Sequence, residues 1–257
     1  MRKFTALTSF ALLVALIGTA SAQQSVPRLN KAIELLENGQ AAFGLLAFDY
    51  SLNNARSMAN SGLDFIIIDM EHAPFDIERL RQFLLGMTDK RKILEKGNLQ
   101  ADVVPLVRIP AAGGEDVMFQ AKQVLDVGAF GVMYPSVSTR AQAEKSVGAT
   151  RYPQLNGAED FEPVGLRGRN PSNAVWYWGI GDYHSRADVW PLDPNGELLA
   201  IIQIETPEGV KNIDEIIAVP GIGVIFIGPS DLSTSMGYAS PSAPEVEAAI
   251  QKVLRAC

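Results

Sequence analysis

Short apolar runs recur along the chain at residues 43–48, 65–69, 103–109, 130–134, 200–204 and 224–227. Each is too short for a typical helix and too continuous for a strand with one wet face, so the pattern predicts buried parallel strands. Between them the period lengthens. Ile77, Leu80 and Leu84 fall on one helical face, as do Val117, Ala121, Val124 and Leu125, with Gly128 placed to stop that helix. Thr139 with Gln142 has the spacing of a capping box, and Thr206-Pro207 reads as a cap followed by a first-turn proline. Val246, Ala249, Ile250, Val253 and Leu254 form a last amphipathic face.

Strands alternating with helices predict a parallel α/β sheet, either an open doubly wound sheet or a closed (β/α)8 TIM barrel. Six strands leave a barrel two units short, and two more units need on the order of 60 residues at about 30 each. Length alone therefore favours an open sheet or an unfinished barrel. One stretch breaks the rhythm. Residues 153–197 are rich in Gly, Pro, Asn and Asp and hold all three tryptophans, Trp176, Trp178 and Trp190. So long an irregular stretch is expected to be a lid or binding loop, or else a surface excursion whose aromatics supply packing area.

The first residues change the count. Arg2 and Lys3 precede an uncharged apolar run over residues 4–17, followed by Gly18-Thr19-Ala20-Ser21-Ala22, the layout of a secretory signal. Cleavage after Ala22 would take 22 residues from 257 and leave 235. Two of the 22 basic residues would go with them, leaving 20 against 29 acidic ones, a net charge of −9. That sign argues against nucleic acid and anionic membrane as partners. The expectation is an exported protein, periplasmic or secreted, with residues 23–257 as one domain. A single thiol, Cys257, allows no internal disulfide, so stability must come from an ordinary hydrophobic core.

Candidate chemistry gathers where strands end, the rim on which parallel α/β enzymes place reactive groups. His72 follows the second run in Asp69-Met-Glu-His72. Arg108 closes the third, and a guanidinium there must find an anion, either a structural carboxylate or a substrate. Glu205 closes the fifth run and Asp231 follows the sixth. Acids after strands often cap the next helix. Two brought together on neighbouring strands repel unless one is protonated or a cation lies between them, and hard oxygen donors suit Mg²⁺ or Mn²⁺.

At these residues the sequence resembles the HpcH/HpaI aldolases, metal-dependent class II pyruvate aldolases that include 4-hydroxy-2-oxoheptanedioate aldolase. The resemblance rests on Phe65-Ile-Ile-Ile-Asp69-Met-Glu-His72-Ala-Pro74, Val107-Arg108-Ile-Pro110, Gln123-Val-Leu-Asp126-Val-Gly-Ala129, Thr150-Arg-Tyr-Pro153, Gly165-Leu-Arg-Gly168, Gln203-Ile-Glu205-Thr206 and Phe226-Ile-Gly-Pro-Ser-Asp-Leu-Ser233, in the family's order. It implies a TIM barrel of the phosphoenolpyruvate/pyruvate type, here ending after the sixth strand-helix unit, and a homo-oligomer for a complete chain.

The resemblance also implies roles. Glu205 and Asp231 would hold a divalent cation, Mg, Mn or Co. Gln203 and the backbone around Ser230 would line the pyruvate site, and Arg108 would stabilise the enolate oxygen. His72 would be the general base, with Asp126 raising its basicity. The implied reaction is reversible carbon-carbon cleavage of a 4-hydroxy-2-oxo acid to pyruvate and an aldehyde through a metal-bound enolate. Two alternatives stay open at this stage: an exported keto-acid-binding protein without catalysis, and a related lyase acting on another oxo acid. Family members carry two further strands, and a secretory leader is unusual among them.

Overall fold

The computed structural model describes residues 27–257; the expected leader lies outside them. Six strands, β1 (Gly44–Ala47), β2 (Phe65–Asp69), β3 (Val104–Arg108), β4 (Gly131–Tyr134), β5 (Leu199–Ile204) and β6 (Ile222–Ile227), form one sheet. They lie in sequence order and every pairing is parallel. The helices are α1 (Lys31–Glu37), α2 (Leu52–Ala59), α3 (Ile77–Gly86), α4 (Lys90–Lys96), α5 (Met118–Asp126), α6 (Arg140–Thr150), α7 (Ser172–Trp178), α8 (Tyr183–Arg186), α9 (Pro207–Lys211), α10 (Ile213–Ile217), α11 (Pro229–Ser235) and α12 (Pro244–Ala256). Strand order 1 to 6 without reversal is barrel order, not that of a doubly wound sheet, and the result is a parallel half-barrel.

All six expected strands form. β3, β4 and β5 are buried at every residue, which is why they read as unbroken apolar runs. β1 and β6, the outer strands of this sheet, are only partly covered, and Phe43 and Leu45 are exposed beside β2. Local signals hold as well. Thr139 and Gln142 make both bonds of a capping box, Thr206 caps α9 ahead of Pro207, and Gly128 takes the positive φ that ends α5.

The irregular stretch is where expectation and structure part. α6 runs back from the strands' C-terminal edge to their N-terminal edge, so residues 151–198 start and finish on the side away from the reactive rim. Trp178 stacks on Phe130, the residue before β4, with centroids 4.4 Å apart and planes 2° from parallel. Its indole N–H donates to the Gly128 carbonyl at 2.9 Å. Wholly buried Arg151 binds Asp188 through Nε at 2.6 Å and Asp160 through Nη2 at 2.7 Å, tying the stretch together from within. The excursion therefore packs under its own sheet; the lid reading fails for the chain's own strand ends. It also contains α7, packed against α5, and α8, packed against α7, both held by these contacts rather than by a repeating period.

Among the described residues no helix is long and apolar enough to cross a membrane.

Candidate active site

The C-terminal ends of β2, β3 and β5 build the centre of the site. Asp69 ends β2 and Arg108 ends β3, and the parallel register sets the two directly opposite each other. Arg108 donates Nε to Asp69 Oδ1 and Nη2 to Asp69 Oδ2, each at 2.8 Å, the two-pronged geometry that only a guanidinium offers a carboxylate. Asp69 is fully buried and Arg108 nearly so. The anion that Arg108 requires is thus supplied within the chain. Its third nitrogen, Nη1, lies 3.0 Å from Glu71 Oε2.

Glu71 also approaches His72, whose Nε2 stands 3.6 Å from the same oxygen on a side chain that is 58% exposed. Burial pushes the Glu71 carboxyl above the usual range, Glu205 and Asp69 add to the rise, and Arg108 and His72 oppose it. Burial also works against the charge on Arg108, but hydrogen bonding to Asp69 and the fields of Asp69, Glu71 and Glu205 outweigh it and keep the guanidinium cationic. Spacing alone does not single out Asp69 or Glu71 as site residues, although both stand in the Asp-Met-Glu-His segment that contains His72.

Glu205 follows β5 and is buried, at 3% exposure. Its Oε1 accepts from the Ser136 backbone N–H at 2.8 Å and from Ser136 Oγ at 2.7 Å. Its Oε2 accepts from Gln203 Nε2. Gln203 and Glu205, two residues apart on an extended segment, point the same way into the mouth. Gly228, at the end of β6, closes on the same carboxylate; a Cβ there would overlap Glu205 Oε2 and come within 2.9 Å of Gln203 Nε2. Ser230 and Asp231 follow in the first turn of α11, both exposed, with the Ser230 carbonyl accepting from Ser233 Oγ at 2.8 Å.

The donor set suits a hard cation. Three carboxylates, Asp69, Glu71 and Glu205, act on one guanidinium, leaving negative charge in excess. Gln203 Oε1 is buried without a hydrogen-bond partner, and Glu71 Oε2, although 3.0 Å from Arg108 Nη1, makes no well-aligned hydrogen bond. Among the described residues no three His, Cys, Asp or Glu side chains converge as a complete metal cage. Mg²⁺ seldom needs one, since it commonly takes one or two carboxylates and completes its shell with water and substrate.

Asp126 stands apart from this group. It is the last residue of α5, which runs antiparallel to the strands, so it lies at the N-terminal edge while His72 lies at the C-terminal one. There its Oδ1 accepts from Arg167 Nη2 at 2.8 Å. Arg167 is fully buried and also reaches Tyr183 Oη at 3.0 Å. The structure does not bring Asp126 to His72 within the chain, because the crossover connection puts the end of each helix opposite the rim where the preceding strand ends.

Strand ends bearing Asp-x-Glu-His, Arg, Gln-x-Glu and Gly-Pro-Ser-Asp on one rim narrow the comparison with known proteins. The sequence pattern described as HpcH/HpaI aldolase/citrate lyase matches residues 48–257. The chain belongs to the HpcH/HpaI aldolase/citrate lyase family. A 5-keto-4-deoxy-D-glucarate aldolase of Shigella boydii is 34% identical over 195 residues, covering 75% of this chain and 64% of that protein. A 4-hydroxy-2-oxo-heptane-1,7-dioate aldolase of the same organism is 34% identical over 226 residues, covering 85% and 73%. A crystal structure of an HpcH/HpaI aldolase/citrate lyase family protein from Burkholderia cenocepacia superposes with a TM-score of 0.72 at 30% identity, covering 88% of this chain and 80% of that one. The chain thus spans somewhat under two thirds of the length of the first of these relatives.

Proposed function

We propose that this protein is a class II pyruvate aldolase (aldehyde-lyase), which reversibly cleaves a 4-hydroxy-2-oxo acid to pyruvate and an aldehyde, and that the sheet is six strands of a phosphoenolpyruvate/pyruvate-type barrel. The observation that carries the reading is Arg108 clamped by Asp69 and Glu71 on the same rim as the buried Glu205. A divalent cation, Mg, Mn or Co, held by Glu205 and Asp231, would supply fixed positive charge to the oxo acid's oxygens.

The remaining work falls to the chain. His72, exposed at the mouth, takes the proton of the 4-hydroxyl as general base. The C3–C4 bond then breaks, the aldehyde leaves, and the electron pair stays on the pyruvate half as its enolate. Arg108 faces the developing enolate oxygen, and its ties to two carboxylates hold it in place before the charge appears, so little reorganisation is needed in the reaction. Return of a proton to C3 completes pyruvate. Gln203 and the backbone at Ser230 line the site of the oxo acid.

Asp126 can serve His72 only across two copies, with the N-terminal edge of one facing the mouth of the other. The leader at residues 1–22 would send the protein out of the cytoplasm.

Pyruvate release from 4-hydroxy-2-oxo acids, followed by coupled NADH oxidation with lactate dehydrogenase, tests the reading. Activity is expected to vanish with EDTA and to return with Mg²⁺, Mn²⁺ or Co²⁺. Full activity in the chelated protein would refute the metal's part, and ligand binding without turnover under every metal would favour a keto-acid-binding protein.

A further inference from the structure

Ser136 is the one described residue other than glycine with a positive φ, 53°, a conformation that costs an L-residue and tends to be retained at functional sites. It sits just beyond β4, beside the mouth, and that backbone turns both of its donors onto a single atom. Its N–H and its Oγ–H reach Glu205 Oε1 at 2.8 and 2.7 Å. A carboxylate oxygen has two lone pairs in its plane, so these bonds fill Oε1. Oε2 is different. It accepts one bond, from Gln203, and Gly228 packs against it so closely that any Cβ there would collide with that oxygen.

The geometry points to Ser136 as the positioning residue that makes Glu205 a one-oxygen ligand, offering a cation Oε2 alone and so favouring small octahedral cations such as Mg²⁺ over Ca²⁺. The inference rests on the metal reading proposed above and adds a residue and a preference to it. Ca²⁺ accepts two-oxygen carboxylate ligands and irregular shells, whereas Mg²⁺ demands near-ideal octahedral geometry at short distances. Filling Oε1 withdraws the mode that Ca²⁺ could use. Ser136→Ala keeps the Cβ and the backbone N–H but frees one lone pair on Oε1, which opens that mode.

Isothermal titration of the purified, EDTA-stripped protein with Mg²⁺ and with Ca²⁺ tests this without any turnover. The parent is expected to bind Mg²⁺ more tightly than Ca²⁺, and Ser136→Ala to narrow the ratio of the two dissociation constants by about tenfold, mainly through tighter Ca²⁺ binding. Ser136→Gly separates selectivity from strain. It also lacks the hydroxyl, so its ratio should shift equally, while its melting temperature should exceed that of the alanine variant because glycine adopts this φ freely. An unchanged ratio in both variants, with the parent binding both ions, would overturn the role of Ser136. A parent that binds neither ion would overturn the metal reading and this inference with it.

Discussion

Glu205→Gln is expected to reduce kcat/KM for pyruvate release by about 10³-fold or more, because it takes charge from the cation site and upsets the hydrogen bonds around it. Ser136 gives two donors to Oε1, so the amide oxygen of a glutamine would turn towards Ser136. Its NH₂ would then face the Gln203 Nε2 group that now donates to Oε2. Two donors would meet where a donor and an acceptor meet now. Gln203 would have to flip its own amide to relieve the conflict. The double variant Glu205→Gln/Gln203→Glu, which moves the acid by two residues along the same side of the chain, should recover hydrogen bonding and melting temperature without recovering turnover. Recovery of activity would mean that the site needs an acid nearby but not at position 205.

Arg108→Met should lose both activity and stability, for separable reasons. Removing the guanidinium leaves the fully buried Asp69 carboxylate without its cation, a situation that costs about 3–5 kcal/mol when one partner of a buried pair is deleted. Urea unfolding should show a loss of that size. Replacing both partners, as Arg108→Met with Asp69→Leu, removes the unpaired charge and should return much of the stability, since well-packed apolar groups often replace buried ion pairs at no net cost. Activity should stay low in both variants because the enolate oxygen still lacks its donor. Arg108→Lys should be poorly tolerated too, as one ammonium cannot meet both Asp69 oxygens and Glu71 together. If the double variant recovered turnover along with stability, Arg108 would be a structural cation and not part of the chemistry.

Much of this fold is legible in the residue pattern because parallel strands covered on both faces must be apolar throughout. β3, β4 and β5 are therefore visible as runs, and the caps at Thr139 and Thr206 are local chemistry that needs no tertiary knowledge. Strand-end residues are legible for a related reason: an acid or arginine stands out where it closes an apolar run, and a buried charge there must find a partner. α7 and α8 are not legible, because the packing of α7 on α5, of α8 on α7 and of Trp178 on Phe130 holds them, and none of these contacts leaves a period in the sequence. Ser136 escapes notice because a serine after a proline reads as an ordinary turn until its φ and the position of Glu205 are known. The edge that Asp126 occupies is not legible, for a directional reason. Its neighbourhood resembles the family's, but its helix carries it away from His72, and only the three-dimensional course of the crossover reveals which edge it reaches.

The central claim, that this rim generates the enolate of pyruvate with a divalent cation, can be tested without knowing the aldehyde. Pyruvate in D₂O with the purified protein and Mg²⁺ should lose its methyl proton signal in the NMR spectrum well above the rate in buffer. The exchange should fall to the buffer rate with EDTA and in Glu205→Gln. Exchange at the buffer rate in the presence of Mg²⁺, Mn²⁺ and Co²⁺ alike, with folded protein, would contradict the account.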